Sequence, residues 1–204
     1  YQADEPAELF FRLNQPTNLT SAEQRNAFFG VVRGQIKALV ERSLAAGLDK
    51  SFLGFSNSRM AYDDVLSRAA FSLERKSIAE KITSAGLVDF YRGDTEVSAE
   101  SISTLNWCIE TLSHVKEHNR AHPKFNKATF YSWVMFLARV RIGGRDSRMT
   151  GAVLAAFMEF FAHADMSASV GLLDGPEDGA KALEILFPIY SDRATSRVAD
   201  VSSV

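Results

Sequence analysis

The stretch SAESISTLNWCIETLSHV, residues 98–115, decides the fold class. Its apolar residues recur every three or four positions, which is the period of one face of an α-helix and not the alternation of a strand. Ser98 stands just before this pattern and belongs to the residue types preferred at the first position of a helix. A long helix with one apolar face needs other helices to cover it. The apolar face consists of Ile102, Leu105, Ile109, Leu112 and Val115.

The same period is found upstream of this stretch. Residues 20–23, TSAE, match a capping box, in which the first and fourth residues bond each other's backbone at a helix start. From there the apolar period runs to Ala46, and Gly47 is a natural end for the helix. Gly30 and Gly34 are expected to bend it.

Residues that form turns are scarce, with 12 glycines and 5 prolines among 204 residues, which favours long helices. We find no convincing alternating strand and no hairpin signal. The sequence therefore predicts an all-α fold, an irregular multi-helix bundle, with at most one short strand at residues 1–3. Further helices are predicted at about residues 4–13, 58–73, 77–86 and 126–140, and around Val153 and Phe157.

Composition excludes several classes of protein. The hydrophobic fraction of 46% and the charged fraction of 24% are ordinary for a globular domain and exclude a disordered chain. The longest purely apolar run, at 152–158, is far shorter than the ~20 residues of a membrane span, so no membrane partner is predicted. Cys108 is the single cysteine, which excludes an internal disulfide and fits the cytoplasm.

The two ends of the chain suggest that it is part of a longer protein. It begins at Tyr1 and not at a methionine, and its last residues, VADVSSV, fall within a predicted helical stretch. We therefore expect an interior piece, with further chemistry encoded outside it.

Well-known catalytic and phosphate-binding motifs are absent, so no catalytic residue is assigned. The sequence has no GxxxxGK[ST], GxGxxG, HExxH or paired CxxC motif. His114, His118 and His122 are spaced by four, but Pro123 interrupts the helix that would align them. A solvated helix end is therefore favoured over a metal site, and no metal is predicted.

Four arginines surround Gly143 and Gly144, where the backbone can approach a ligand closely. Four guanidinium groups could hold phosphates of a nucleotide or of DNA, while a solvated loop with Asp146 as local partner is the other interpretation. These candidates are Arg139, Arg141, Arg145 and Arg148.

The most specific pattern is FFRLNQPTNLTSAEQRNAFFG, residues 10–30. Two helix ends joined by a short loop could bring a carboxylate, two guanidinium groups and two amides together, ordered by charge-assisted hydrogen bonds. Helix capping explains the same residue types equally well, so both interpretations stay open on chemistry alone. The candidate pocket residues are Arg12, Asn14, Glu23, Arg25 and Asn26.

This segment resembles the N-terminal domain of GmrSD-type restriction endonucleases, a family with a ParB/sulfiredoxin-like fold. The family pattern F-x-R-L-N, a short loop and L-x-x-x-E-x-R-N-A is matched at residues 10–14 and 19–27. Residues 59–71, 124–140 and 189–204 also look like the helical part of short members. The loop departs from the family, with Gln-Pro-Thr-Asn at 15–18 where glycines are frequent.

The resemblance implies a role in modification-dependent phage defence, in which the domain binds and hydrolyses a nucleotide and governs DNA cleavage. The family's DGQQR motif would lie upstream, and these 204 residues contain neither DGQQR nor an HNH nuclease unit. Residues 1–47 would be the C-terminal part of the ParB-like domain, and residues 48–204 a helical extension.

The implied partners are modified DNA and a nucleotide. A nucleoside triphosphate and a divalent metal would bind the longer protein, and this piece alone is expected to bind no cofactor and to lack hydrolysis. The alternative is a non-enzymatic helical interaction or DNA-binding module that keeps the motif as a brace between helices.

Overall fold

The computed structural model describes residues 19–77, 81–93, 95–118 and 125–163, with the backbone alone for 160–163. These residues form eight α-helices and no strand, which confirms the all-α bundle. The predicted strand at 1–3, the helix at 4–13 and the last helical stretch lie outside the described residues. The helices are α1 Ser21–Asn26, α2 Val31–Ala45, α3 Lys50–Leu53, α4 Ala61–Glu74, α5 Ser84–Arg92, α6 Ala99–His118, α7 Lys127–Ile142 and α8 Gly151–His163.

The core is built around α6, the helix predicted from residues 98–115. Its predicted apolar face is confirmed, since four of its five residues are fully buried and Ile102 is partly buried. Helices α2, α4, α7 and α8 all pack against it. Because α2 and α4 also pack together, one core joins helices on both sides of residue 47. The domain division at 47/48 stays a prediction.

The single helix predicted from Thr20 to Ala46 is wrong, because the chain breaks between α1 and α2. Gly30 is extended there, with φ 173° and ψ 165°. A β-carbon on Gly30 would lie only 3.1 Å from the carbonyl oxygen of Tyr91, so the break rests directly on α5. The predicted end is confirmed, since Gly47 follows α2 with φ 81°.

The helix predicted at 77–86 is also misplaced. Helix α5 begins at Ser84, where the Thr83 hydroxyl accepts a hydrogen bond of 3.1 Å from the Gly86 amide. Ser77 instead follows the end of α4, and its amide donates to the Ser72 carbonyl at 3.3 Å. Ser77 and Thr83 are both residue types that can cap a helix start, and in the structure Thr83 is the one that caps α5.

Helix α4 is preceded by a strained turn. Arg59 and Met60 have φ of 55° and 59°, a left-handed conformation that costs non-glycine residues about 1–2 kcal/mol each. The Asn57 side chain holds the turn, because its Oδ1 accepts from the Tyr62 amide at 2.7 Å and its Nδ2 donates to Asp63 at 3.2 Å. The helix therefore starts at Ala61 and not at the predicted Ser58.

Helix α8 approaches α6 very closely. A β-carbon on Gly151 would lie 2.5 Å from the β-carbon of His114 and 2.9 Å from its backbone carbonyl carbon, so only glycine fits here. No helix among the described residues has both the length and the apolar character to cross a bilayer.

Candidate functional site

The structure places three of the five motif residues on α1. Arg12 and Asn14 lie outside the described residues. Glu23, Arg25 and Asn26 face the strained turn and the first turns of α4. We give the name α1–α4 cluster to Glu23, Arg25 and Asn26, to their partners Arg59 and Asp64, and to Arg68, which shares Asp64.

Glu23 fills two roles at once. The predicted capping box is confirmed: its Oε2 accepts from the Thr20 amide at 2.7 Å, and the Thr20 hydroxyl accepts from the Glu23 amide at 3.3 Å. The same carboxylate also pairs with the Arg59 guanidinium at 3.2 Å. The Thr20 amide first, and then Arg59, hold the pKa of Glu23 below its usual range. Glu23 is therefore ionised and links α1 to the strained turn.

Arg25 is the most unusual residue of the cluster, because its side chain is only 1% exposed. Its Nη2 donates to Asp64 Oδ1 at 2.5 Å, and its guanidinium lies 5.8 Å from the centre of the Tyr91 ring. Its Nε and Nη1 atoms have no acceptor among the described residues. A buried donor without an acceptor costs about 1–3 kcal/mol, so such donors are rare.

One carboxylate is shared between two arginines. Asp64 Oδ1 accepts from Arg25, and its Oδ2 accepts from Arg68 Nε at 3.3 Å on the same helix, α4. The negative charge of Asp64 is thus divided between two guanidinium groups. Arg25 therefore keeps part of its charge uncompensated as well as two unused donors.

The Asn26 amide joins three elements. Its Oδ1 accepts from Arg33 Nε of α2 at 3.2 Å, and its Nδ2 contacts the sulfur of Met60 at 3.5 Å. These contacts fix the end of α1 against the strained turn. Asn26 thereby serves as a positioning residue for the cluster.

A buried pair of hydroxyls lies beside Arg25. The Tyr91 hydroxyl and the Ser67 hydroxyl are 2.6 Å apart, and Ser67 donates to the Asp63 carbonyl. Burial raises the pKa of Tyr91, so its phenol stays neutral at ordinary pH. Tyr91 therefore lies beside Arg25 as a neutral aromatic neighbour and does not compensate the charge of its guanidinium.

Two of the four arginines near Gly143 have different surroundings in the structure. Arg139 lines a cleft of about 210 Å³ together with Ser101 and Met135. Arg141 instead lies over Trp107, 5.6 Å from the ring centre, and donates to the Ser103 hydroxyl at 2.9 Å. The two arginines are two positions apart on α7 and have different neighbours.

Arg145 and Arg148 are exposed on the loop between α7 and α8. The predicted local partner Asp146 forms no ion pair with either arginine or with any other described residue. Their charges are therefore available to an anion in solution.

His114 and His118 lie on α6, while His122 is outside the described residues. His114 lines an open cleft of about 300 Å³ with Trp107 and Glu110. Within the described part of the chain, no three His, Cys, Asp or Glu residues are grouped to hold a metal ion.

Sequence reasoning missed Arg59, Asp64 and Arg68. The one local signal was the pair Asp63–Asp64 in the first turn of α4, which the helix dipole alone would explain. In comparisons with family models, curated proteins and solved structures, nothing matches this chain. The membership in the GmrSD-type family therefore stays a prediction based on the residues themselves.

Proposed function

We propose that this chain is the helical portion of a nucleotide-responsive, modification-dependent DNA restriction protein of the GmrSD type. In this proposal the α1–α4 cluster supplies one wall of the nucleotide pocket. The observation that carries it is the buried Arg25 guanidinium, which has two donors without an acceptor among the described residues.

A phosphate suits these donors for two reasons. Arg25 Nη2 donates to Asp64, so Nε–H and Nη1–H remain for a further acceptor, and a phosphate oxygen beside one edge of the guanidinium can accept a charge-assisted hydrogen bond there. Asp64 is also shared with Arg68, which leaves positive charge at Arg25 for a further anion to neutralise.

Other parts of the chain have supporting roles in the proposal. Glu23 orders the start of α1 and holds Arg59, so it is a positioning residue and touches no phosphate itself. The exposed Arg145 and Arg148 contact DNA phosphates. The nucleoside triphosphate and a divalent metal bind the longer protein, whose upstream residues complete the pocket.

A non-enzymatic helical module is the second candidate. The observation in its favour is that Glu23 and Arg25 both end in ion pairs that tie α1 to residues 59–64. A brace between helices needs nothing more than these two pairs.

Glu23→Gln separates the two candidates. Glutamine keeps the capping box but has no charge to hold Arg59. In the protein that includes the upstream residues, we expect the melting temperature to stay nearly unchanged and nucleotide turnover to fall at least tenfold, a barrier increase of ~1.4 kcal/mol. Turnover assays and thermal unfolding measure both quantities.

Glu41→Gln is the matched control for this change. Glu41 is an exposed glutamate of α2 in a surface pair with Lys37 at 3.9 Å, and its replacement should leave turnover intact. Full turnover in Glu23→Gln, together with normal stability, would favour the brace.

The DNA interaction has its own prediction. In Arg145→Ala combined with Arg148→Ala, the slope of log affinity against log salt should drop by about 0.9 for each phosphate that the protein no longer neutralises. Titration of duplex DNA at several salt concentrations measures this slope. Lys37→Ala with Arg42→Ala removes two exposed charges of α2 and should leave the slope unchanged. Equal slopes in all three proteins would leave the loop as ordinary surface.

A further inference from the structure

The phenylalanine at the break between α1 and α2 is almost fully exposed. Phe29 is 91% exposed, more than twice the value of any other described phenylalanine. Its ring has no polar group to gain from water, and phenylalanine is among the residues most often buried. The next residue, Gly30, is extended and rests on α5, so the break fixes the point from which the ring extends into solvent.

Two arginines lie against the aromatic rings of this break. The Arg33 guanidinium of α2 lies 5.9 Å from the centre of the Phe29 ring, and its Nε donates to Asn26 Oδ1 at 3.2 Å. The Arg92 guanidinium of α5 lies 4.7 Å from the centre of the neighbouring Phe28 ring. We call Phe28, Phe29, Arg33 and Arg92 the aromatic–arginine surface.

The charge of this surface is not neutralised by the residues that the structure describes. Neither Arg33 nor Arg92 forms an ion pair with a described carboxylate. The first turn of α2 contains Arg33 and no acidic residue, whereas negative charge is the favourable kind at a helix start. The surface is therefore complementary to an anion that also offers a flat apolar face to the Phe29 ring.

We propose that the aromatic–arginine surface binds single-stranded nucleic acid, with a base stacked on Phe29 and backbone phosphates held by Arg33 and Arg92. Proteins that bind single strands without reading their sequence combine exposed aromatic rings with positive charge in this way. A duplex fits less well, because its bases are stacked on one another and offer no free face to a side chain. A purely apolar partner would leave both guanidinium groups without a counter-charge.

This surface goes beyond the proposed function, since it is distinct from both anion contacts named there. The Arg25 guanidinium is buried, whereas Phe29 extends into solvent, and Arg145 and Arg148 lie on the loop between α7 and α8. No measurement below depends on nucleotide turnover. The nucleotide pocket and the aromatic–arginine surface can therefore fail separately.

Fluorescence anisotropy of a labelled oligodeoxythymidylate of about 12 nucleotides tests the proposal on the full chain. Phe29→Ala should weaken binding about tenfold, the effect of one stacked base, and Phe29→Trp should keep it because the indole also stacks. The melting temperature should not fall in either variant, since the Phe29 ring is exposed. Phe157→Ala on α8 is the matched control, because this phenylalanine is also exposed, at 43%, but lies against Phe136, and it should leave the affinity unchanged.

The phosphate contacts have a measurement of their own. In Arg33→Gln combined with Arg92→Gln, the slope of log affinity against log salt for the same oligonucleotide should drop by about 0.7 for each phosphate contact that is lost. Lys37→Gln with Arg42→Gln removes two exposed charges of α2 and should leave this slope unchanged.

The absence of binding, or an unchanged affinity in Phe29→Ala, would overturn the proposal. So would an oligonucleotide without bases that binds as tightly as the oligodeoxythymidylate, because no base would then be stacked on the ring. Phosphatidylserine vesicles test the other anionic surface: binding of vesicles through Phe29, without binding of the oligonucleotide, would assign the surface to a membrane. Light scattering that finds a dimer which Phe29→Ala converts into a monomer would assign it to a second copy of the chain.

Discussion

Asp64→Asn should lower the free energy of unfolding by about 3 kcal/mol or more, because it leaves the buried Arg25 guanidinium without its carboxylate. Arg68 loses its partner in the same change, but its ion pair is longer and contributes less. Urea unfolding monitored by circular dichroism measures the difference.

Asp63→Asn is the neighbouring control. Asp63 accepts a hydrogen bond from Asn57 at 3.2 Å and pairs with no arginine in the described part of the chain, so we expect its replacement to cost less than about 1 kcal/mol. The double variant Arg25→Met with Asp64→Leu removes both charges and should recover much of the stability that Asp64→Asn removes. A decrease below about 1 kcal/mol in Asp64→Asn would mean that Arg25 finds its main acceptor elsewhere.

Gly151→Ala should destabilise the protein more than an alanine at any other described glycine whose φ is negative. The new carbon would lie 2.5 Å from the β-carbon of His114 and close to its backbone, which cannot rotate away. Helix α8 must therefore move off α6. We expect a decrease in stability of about 2–3 kcal/mol, seen as a melting temperature lower by roughly 4–12 °C.

Gly34→Ala tests the same substitution where space is open. A β-carbon on Gly34 meets nothing within 4 Å, and the residue lies inside α2. Alanine should therefore stabilise the protein by roughly 0.5–1 kcal/mol through its higher helix propensity. If Gly151→Ala and Gly34→Ala shift the melting temperature alike, the close approach of α8 to α6 is not what restricts position 151.

Local patterns predicted the helices that carry their own start signals and apolar faces. The capping box at Thr20 and the face of α6 are examples. The break at Gly30 escaped prediction because the apolar period continues across it, and the contact with Tyr91 that fixes it comes from another helix. The left-handed conformations of Arg59 and Met60 could not be predicted either, because neither residue type favours positive φ by itself.

The candidate site also contains residues that local sequence could group and residues that only tertiary packing brings in. Glu23, Arg25 and Asn26 could be grouped because they share one short helix. The choice of Asp64 for Arg25 could not be predicted, because 25 acidic residues offer the same chemistry and the pair is separated by 39 positions. Only the packing of α1 against α4 selects it.

The burial of Cys108 determines how the protein responds to thiol reagents. Cys108 lies on α6 with its side chain in the hydrophobic core, and its thiol donates to the Val134 carbonyl at 3.6 Å. Burial raises the pKa of this thiol to about 12. Very little of the thiol is therefore ionised at pH 7, and because the thiolate is the nucleophile that attacks an alkylating reagent, such reagents spare the folded chain. A fluorophore can therefore be attached at an added surface cysteine while the natural one is kept. Slow alkylation of Cys108 in the unaltered protein reports how often α6 and α7 separate.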